Sequence, residues 1–157
     1  NEEYLKICLE LGIYCYRGNE DSWLYKAKKA ENENTFRRAL RLVDAYINIS
    51  GHNCYSDQYL KRKMPIDIPS SRFLRPVSSK LKFLDNLRLN RIKSGMTHAA
   101  KNNLTYHLWW HPHNFGINQD ENFAFLEKIL QHYNKLEQKH KFQSITMSDL
   151  AKNIQNK

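Results

Sequence analysis

Apolar positions recur at helical spacing in several stretches of the chain, with short apolar runs between them. In residues 2–11, Leu5, Cys8, Leu9 and Leu11 fall at helical spacing, and Gly12 follows as a C-cap signal. Ile13–Tyr16 then reads as a short strand ended by Arg17-Gly18-Asn19. A second helix is predicted over 35–49, with Phe36, Leu40, Val43, Ala45, Tyr46 and Ile47 on one broad face and Gly51 as its stop. Pro65, Pro69 and paired serines make 51–71 a long loop. From Lys80 to Asn102 the pattern is helical again, lined by Leu81, Leu84, Leu87, Ile92, Met96 and Ala99, with Gly95 as a candidate break. Thr105–His111 is rich in aromatics and bounded by Pro112, which predicts a strand. A long helix over 121–138 follows, with Phe125, Leu126, Ile129, Leu130, Tyr133 and Leu136 on its buried side, then a candidate last strand at 143–146 and a final helix over 147–154 capped by Thr146 or Ser148.

Short strands alternating with amphipathic helices predict an α/β fold built from parallel βα units. The strands are too few for a closed eight-stranded barrel, which typically takes about 250 residues. A chain of 157 residues, 41% hydrophobic, fits one domain spanning 1–157. No apolar run approaches the roughly 18–20 residues of a membrane span, and no signal-peptide pattern opens the chain. Cys8, Cys15 and Cys54 have no CxxC spacing and are odd in number, which argues against a disulfide framework.

Charge changes the picture only locally. The net charge of +9 is concentrated in residues 72–103, where eight Lys and Arg face Asp85 alone. A basic stretch suits anionic partners. No helix-turn-helix, zinc-finger or RRM pattern accompanies it, so the segment reads first as a solvated helix face and a nucleic-acid partner is not expected.

The densest chemical signal is the run from His107 to Gly116, HLWWHPHNFG. In a strand, alternate side chains share a face, so His107, Trp109 and His111 point one way and Leu108 and Trp110 the other. His111 falls at the carboxyl end, where barrel-type α/β folds place catalytic groups, and Pro112 puts His113 and Asn114 on the following loop. Histidine serves as acid, base or metal ligand. Because these histidines alternate between strand and loop, a zinc site in this chain is not expected. The tryptophans offer flat apolar faces for sugar rings or bases. Arg17 and Asn19 follow the first strand and are predicted to line the same mouth, while Arg72 and Arg75 are candidates for binding an anionic sugar or for pairing with Asp67 or Asp85.

The run HLWWHPHNFG, followed by ENFAFLEKILQHYNKL and FQSITMSDLA, resembles the C-terminal end of polysaccharide deacetylases of the carbohydrate esterase family 4 (nodulation-factor deacetylase) type. It is most similar to a bacterial branch in which a His-Pro-His-Asn turn ends a late barrel strand. IYCYRGNE, RRALRLVDAYINISG and PSSRFLRP also fit that branch, so the resemblance spans residues 4 to 154. It implies a distorted, here partial, (β/α) barrel that removes N-acetyl groups from amino sugars with one divalent metal, zinc being the expected ion. It also implies a general-acid role for His111 toward the leaving amine; the residue reading beside it offers Trp109, Trp110, His113, Asn114, Arg17 and Arg75 as substrate-binding candidates. The family's metal comes from an acidic pair ending the first strand and a second histidine motif, and 1–157 offers no such acidic pair in that context. The chain is therefore expected to be the C-terminal part of a longer deacetylase, inactive alone and holding no metal, with the missing half or a second copy covering its open strand edges. The compartment, cytoplasm or envelope, is left open. The alternatives are a carbohydrate-binding module without chemistry and, third, a basic nucleic-acid-associated protein.

Overall fold

The computed structural model describes residues 2–26 and 35–156. Helix α1 covers Glu2–Glu10, α2 Thr35–Asp44, α3 Asp57–Leu60, α4 Asp85–Asn102, α5 Gln119–His140 and α6 Met147–Gln155. The strands are β1 (Cys15–Tyr16), β2 (Ile66–Asp67), β3 (Arg72–Phe73) and β4 (Leu108–Trp109), and 3-10 turns cover Ser79–Leu84 and Pro112–Phe115. The architecture is thus mixed α/β, with helices dominant and strands short.

Among the described residues the four strands pair in parallel, and one isolated antiparallel bridge joins Tyr55 to Thr105. β1 pairs with β2 in the register Cys15↔Ile66 and Tyr16↔Asp67, and β3 pairs with β4 as Arg72↔Leu108 and Phe73↔Trp109. One extended segment carries both β2 and β3. The N–H groups of Ile66, Ile68 and Ser70 donate to the carbonyls of Tyr14, Tyr16 and Gly18. Ser71 and Arg72 then both donate to the His107 carbonyl, and Leu74 donates to that of Trp109. Two donors on one acceptor mark a bulge, at which the pairing passes from one edge of the segment to the other. β1 and β4 therefore lie on opposite edges of residues 66–74.

Two buried clusters hold these elements. The larger joins Leu74 and Val77 to Leu89, Ile92 and Met96 of α4 and to Phe125, Ile129 and Leu136 of α5. The smaller packs Ala151 and Ile154 of α6 against Ile66, Ile68, Tyr55 and Leu60. The larger follows the predicted spacing at Ile92, Met96, Phe125, Ile129 and Leu136, but Phe36, Val43, Ile47, Leu87 and Leu130, expected on apolar helix faces, are exposed, and the smaller draws Tyr55, Leu60, Ile66 and Ile68 from the predicted loop 51–71. Thr146 caps α6, accepting from Asp149 N–H at 3.1 Å.

Several expectations are corrected. Gly95 does not break α4, because it sits mid-helix where a Cβ would come within 2.7 Å of the Tyr106 ring, so glycine is needed there for close approach. α2 stops at Asp44 rather than at residue 49, because the Asp44 carboxylate draws in the N–H groups of Ile49 and Ser50 at 2.9 and 2.8 Å. The predicted loop 51–71 contains α3 and β2. The predicted strands 13–16 and 105–111 pair over two residues each, and 143–146 forms no strand, leading instead into the α6 cap. The helix predicted from Lys80 begins as a 3-10 turn and becomes α-helical at Asp85.

Candidate functional site

Strands β1 and β4 run in the same direction, so the loops after both leave from carboxyl ends, where α/β sheets bind their ligands. Arg17 leaves β1 and its guanidinium carbon lies 3.6 Å from the centroid of the Trp109 ring, a cation–π stack. Phe73 of β3 packs on the same indole at 4.6 Å between centroids. His111 meets Trp109 edge-on at 5.1 Å, and His113 stacks on His111 at 5.1 Å with 13° between planes. The indole N–H of Trp109 is buried and has no acceptor among the described residues.

The turn after β4 explains how the imidazoles are held. Pro112 opens a 3-10 turn, for which His111 is the N-cap. The His111 side chain accepts from the Asn114 N–H, and the Asn114 side-chain oxygen accepts from the His111 N–H at 3.2 Å, so the two close a capping box. Asn114 thereby orients His111. His107 lies on the same strand face but turns inward, its Nδ1–H donating to the Ile68 carbonyl at 3.2 Å. Burial, with the nearby Arg17 charge, pushes His107 below the ordinary histidine range and keeps it neutral.

Of the predicted residues, Arg17, Trp109, His111 and His113 are brought together, with Asn114 beneath them. Trp110 points the other way, as the alternation predicts, and packs on Phe115 at 5.9 Å. Arg75 is half-buried, and its carbonyl accepts from Arg88; no described contact joins its side chain to the cluster. Sequence reasoning missed Phe73 and Glu20. Glu20 is buried just beyond β1, where desolvation raises its carboxyl above the ordinary range despite Arg72, Ser70 and Arg17 nearby. Its place three residues after Arg17 was the available signal.

Behind β3 lies a buried ionic hub. Asp44 is fully buried and accepts from Arg72 at 2.5 Å, from Tyr25 at 2.9 Å and from the Ser50 hydroxyl at 2.8 Å, with Arg91 at 3.6 Å. Burial alone would raise its carboxyl, but Arg72 and Ser50 outweigh that and hold it well below the usual range. Arg88 is likewise buried, donating to the carbonyls of Arg75 and Pro76 and pairing with Asp85 at 2.9 Å. Three of the eight bases in 72–103 are thus engaged inside the protein, which leaves that stretch a poorer phosphate-binding surface than its composition implies.

Among the described residues no group of three or more His, Cys, Asp or Glu side chains converges to hold an ion. His107 and His111 are separated by three residues along the chain, but His107 is bonded to Ile68 while His111 stacks on His113. A cavity of about 510 Å³ lies apart from His111, bordered by Asp21, His52, Cys54, Tyr59 and His98. Burial pushes the Cys54 thiol up to about 11, so at neutral pH it is no thiolate nucleophile. The three cysteines are free. Among the described residues no helix is long and apolar enough to cross a membrane. No protein-family model, curated protein or solved structure matches this chain.

Proposed function

We propose that this chain is the C-terminal part of a metal-dependent polysaccharide deacetylase acting on N-acetyl amino sugars, with His111 as its general acid. The observation that carries the reading is the gathering of Arg17, Trp109, His111 and His113 at the carboxyl ends of parallel strands from opposite edges of one segment. The finer fold in this reading is part of a (β/α) barrel, to which consecutive βα units with neighbouring parallel strands would belong.

The chemistry asks for an acid. Hydrolysis of an N-acetyl group joins water's hydroxyl to the acetyl carbon and breaks the carbon–nitrogen bond, and an amide anion is too poor a leaving group to depart unprotonated. The nitrogen of His111 not engaged by Asn114 gives its proton to that departing nitrogen, releasing a free amine and acetate. Trp109 supplies an apolar face to the sugar ring, and Arg17 lies across that indole. A divalent metal would polarise the carbonyl and activate water. The described residues do not fit one, so its ligands are assigned to sequence outside this chain and no step is routed through it.

The test is acetate release by the longer protein on N-acetylglucosamine oligosaccharides. Release that stops with a chelator, returns with zinc and is lost in His111→Ala with the fold intact is the expected result. Full turnover in His111→Ala removes the assignment.

A further inference from the structure

Helix α5 buries Phe125, Ile129 and Leu136 but presents a second face to solvent. Asp120, Phe123, Glu127 and Leu130 recur there at spacings of three and four, which places them along one side of the helix. Phe123 and Leu130 are 52% and 51% exposed, and with Ala124 and Leu126 they border a groove of about 490 Å³. The groove does not stand alone. Phe123 packs on Phe115 at 5.5 Å, and Phe115 packs on Trp110 at 5.9 Å. Phe115 is buried and Trp110 faces away from the His111 cluster, so this row of rings anchors the groove to the far side of the turn that carries His111.

The charge of this face is opposite to that of the molecule. In a chain of net charge +9, the ionisable groups bordering the groove are two carboxylates, Asp120 and Glu127. Neither has a cationic partner among the described residues; the Glu127 carboxylate accepts from Gln131 at 3.2 Å, while the neighbouring Glu121 is the one that pairs with Lys82, at 3.9 Å. An apolar floor flanked by unneutralised carboxylates fits a ligand with flat apolar faces and positive charge. A polymer of glucosamine units has both: C–H faces that pack on aromatic rings, and amines protonated at neutral pH.

We propose that the α5 groove binds cationic amino-sugar units of the polymer, which are the product of N-deacetylation. This rests on the deacetylase reading of His111. The groove holds a partly deacetylated chain through its free amines, so the protein binds such polymers more tightly than fully acetylated ones.

The test is calorimetric titration of the full protein with a glucosamine hexasaccharide and, separately, with its fully N-acetylated counterpart, alongside acetate release by the same preparation. Tighter binding of the glucosamine oligomer, weakened by salt, is expected. Asp120→Asn with Glu127→Gln, and independently Phe123→Ala, each lower that affinity roughly fivefold, the scale of about 1 kcal/mol for exposed contacts. Thermal melts confirm that these variants fold. Equal affinity for the two oligomers, or affinity unmoved by both variants, overturns the proposal. So does a change of oligomeric state in Phe123→Ala by sedimentation, which makes the face a contact between copies. Variant-sensitive binding without acetate release supports the groove while removing the deacetylase reading.

Discussion

Replacing Asp44 with alanine probes the frame on which the candidate site is built. The carboxylate is fully buried and joins four parts of the chain: Tyr25, the turn at Ile49–Ser50, Arg72 of β3 and Arg91 of α4. Arg72 is 4% and Arg91 5% exposed, so removal of Asp44 leaves two buried guanidinium groups without their counter-charge. Breaking a buried pair in this way costs about 3–5 kcal/mol. That is a fifth or more of the roughly 5–15 kcal/mol by which a domain is stable. Urea unfolding at pH 7, compared with wild type at equal denaturant slope, measures it. A loss below about 1 kcal/mol, the range of a surface pair, refutes the reasoning. The pH dependence gives a second check. Arg72 and Ser50 hold the folded carboxyl below its unfolded value of about 3.9, so the stabilisation is complete above that pH and is lost as pH falls toward the folded value. The gap between wild type and Asp44→Asn is therefore full at pH 7 and shrinks below about pH 4.

Three further outcomes follow from the packing and ionisation of other residues. Gly95→Ala, which favours an isolated helix by about 1 kcal/mol, destabilises this one by about 1–3 kcal/mol because the new methyl meets the Tyr106 ring; a higher melting temperature contradicts this. Desolvation raises the Glu20 carboxyl in the folded protein, so its contribution is complete below the unfolded value of about 4.3 and is lost as pH rises through the folded one. Glu20→Gln accordingly gains stability relative to wild type at pH 7 and not at pH 4, read from paired urea titrations. Thr146→Ala removes the α6 cap and costs about 1 kcal/mol, with exchange of the first-turn amides of α6 as the local readout.

Much of the helical frame is legible in the sequence. The spacing of Phe125, Ile129 and Leu136 places α5, and Thr146 before Met147 starts α6 where it begins. Gly12 and Gly51 mark turns that need positive φ, 78° and 83°. The strands were harder to read because they pair over so few residues. Ile66–Leu74 carries Pro69 and two serines, which read as a loop, yet the segment uses every second N–H before the proline and then changes edge at Ser71–Arg72. The hub was invisible for a different reason. Asp44 looks like an ordinary helix-face acid until the fold brings Arg72, 28 positions away, against it. In the candidate site, strand alternation correctly separated Trp109 from Trp110, and the loop after β1 correctly brought Arg17 to Trp109. Nothing local marks Phe73 as the ring beneath that indole, because their contact depends on the β3–β4 register.

The most direct test of His111 as the acid that protonates a departing amine compares two leaving groups in the longer protein. An N-acetyl amino sugar needs that proton; an aryl acetate, whose phenolate leaves unaided, does not. His111→Ala is predicted to lose about 10²–10⁴-fold in amide hydrolysis while keeping most of its aryl acetate hydrolysis. Equal losses on both substrates, or no loss on the amide, contradict the account.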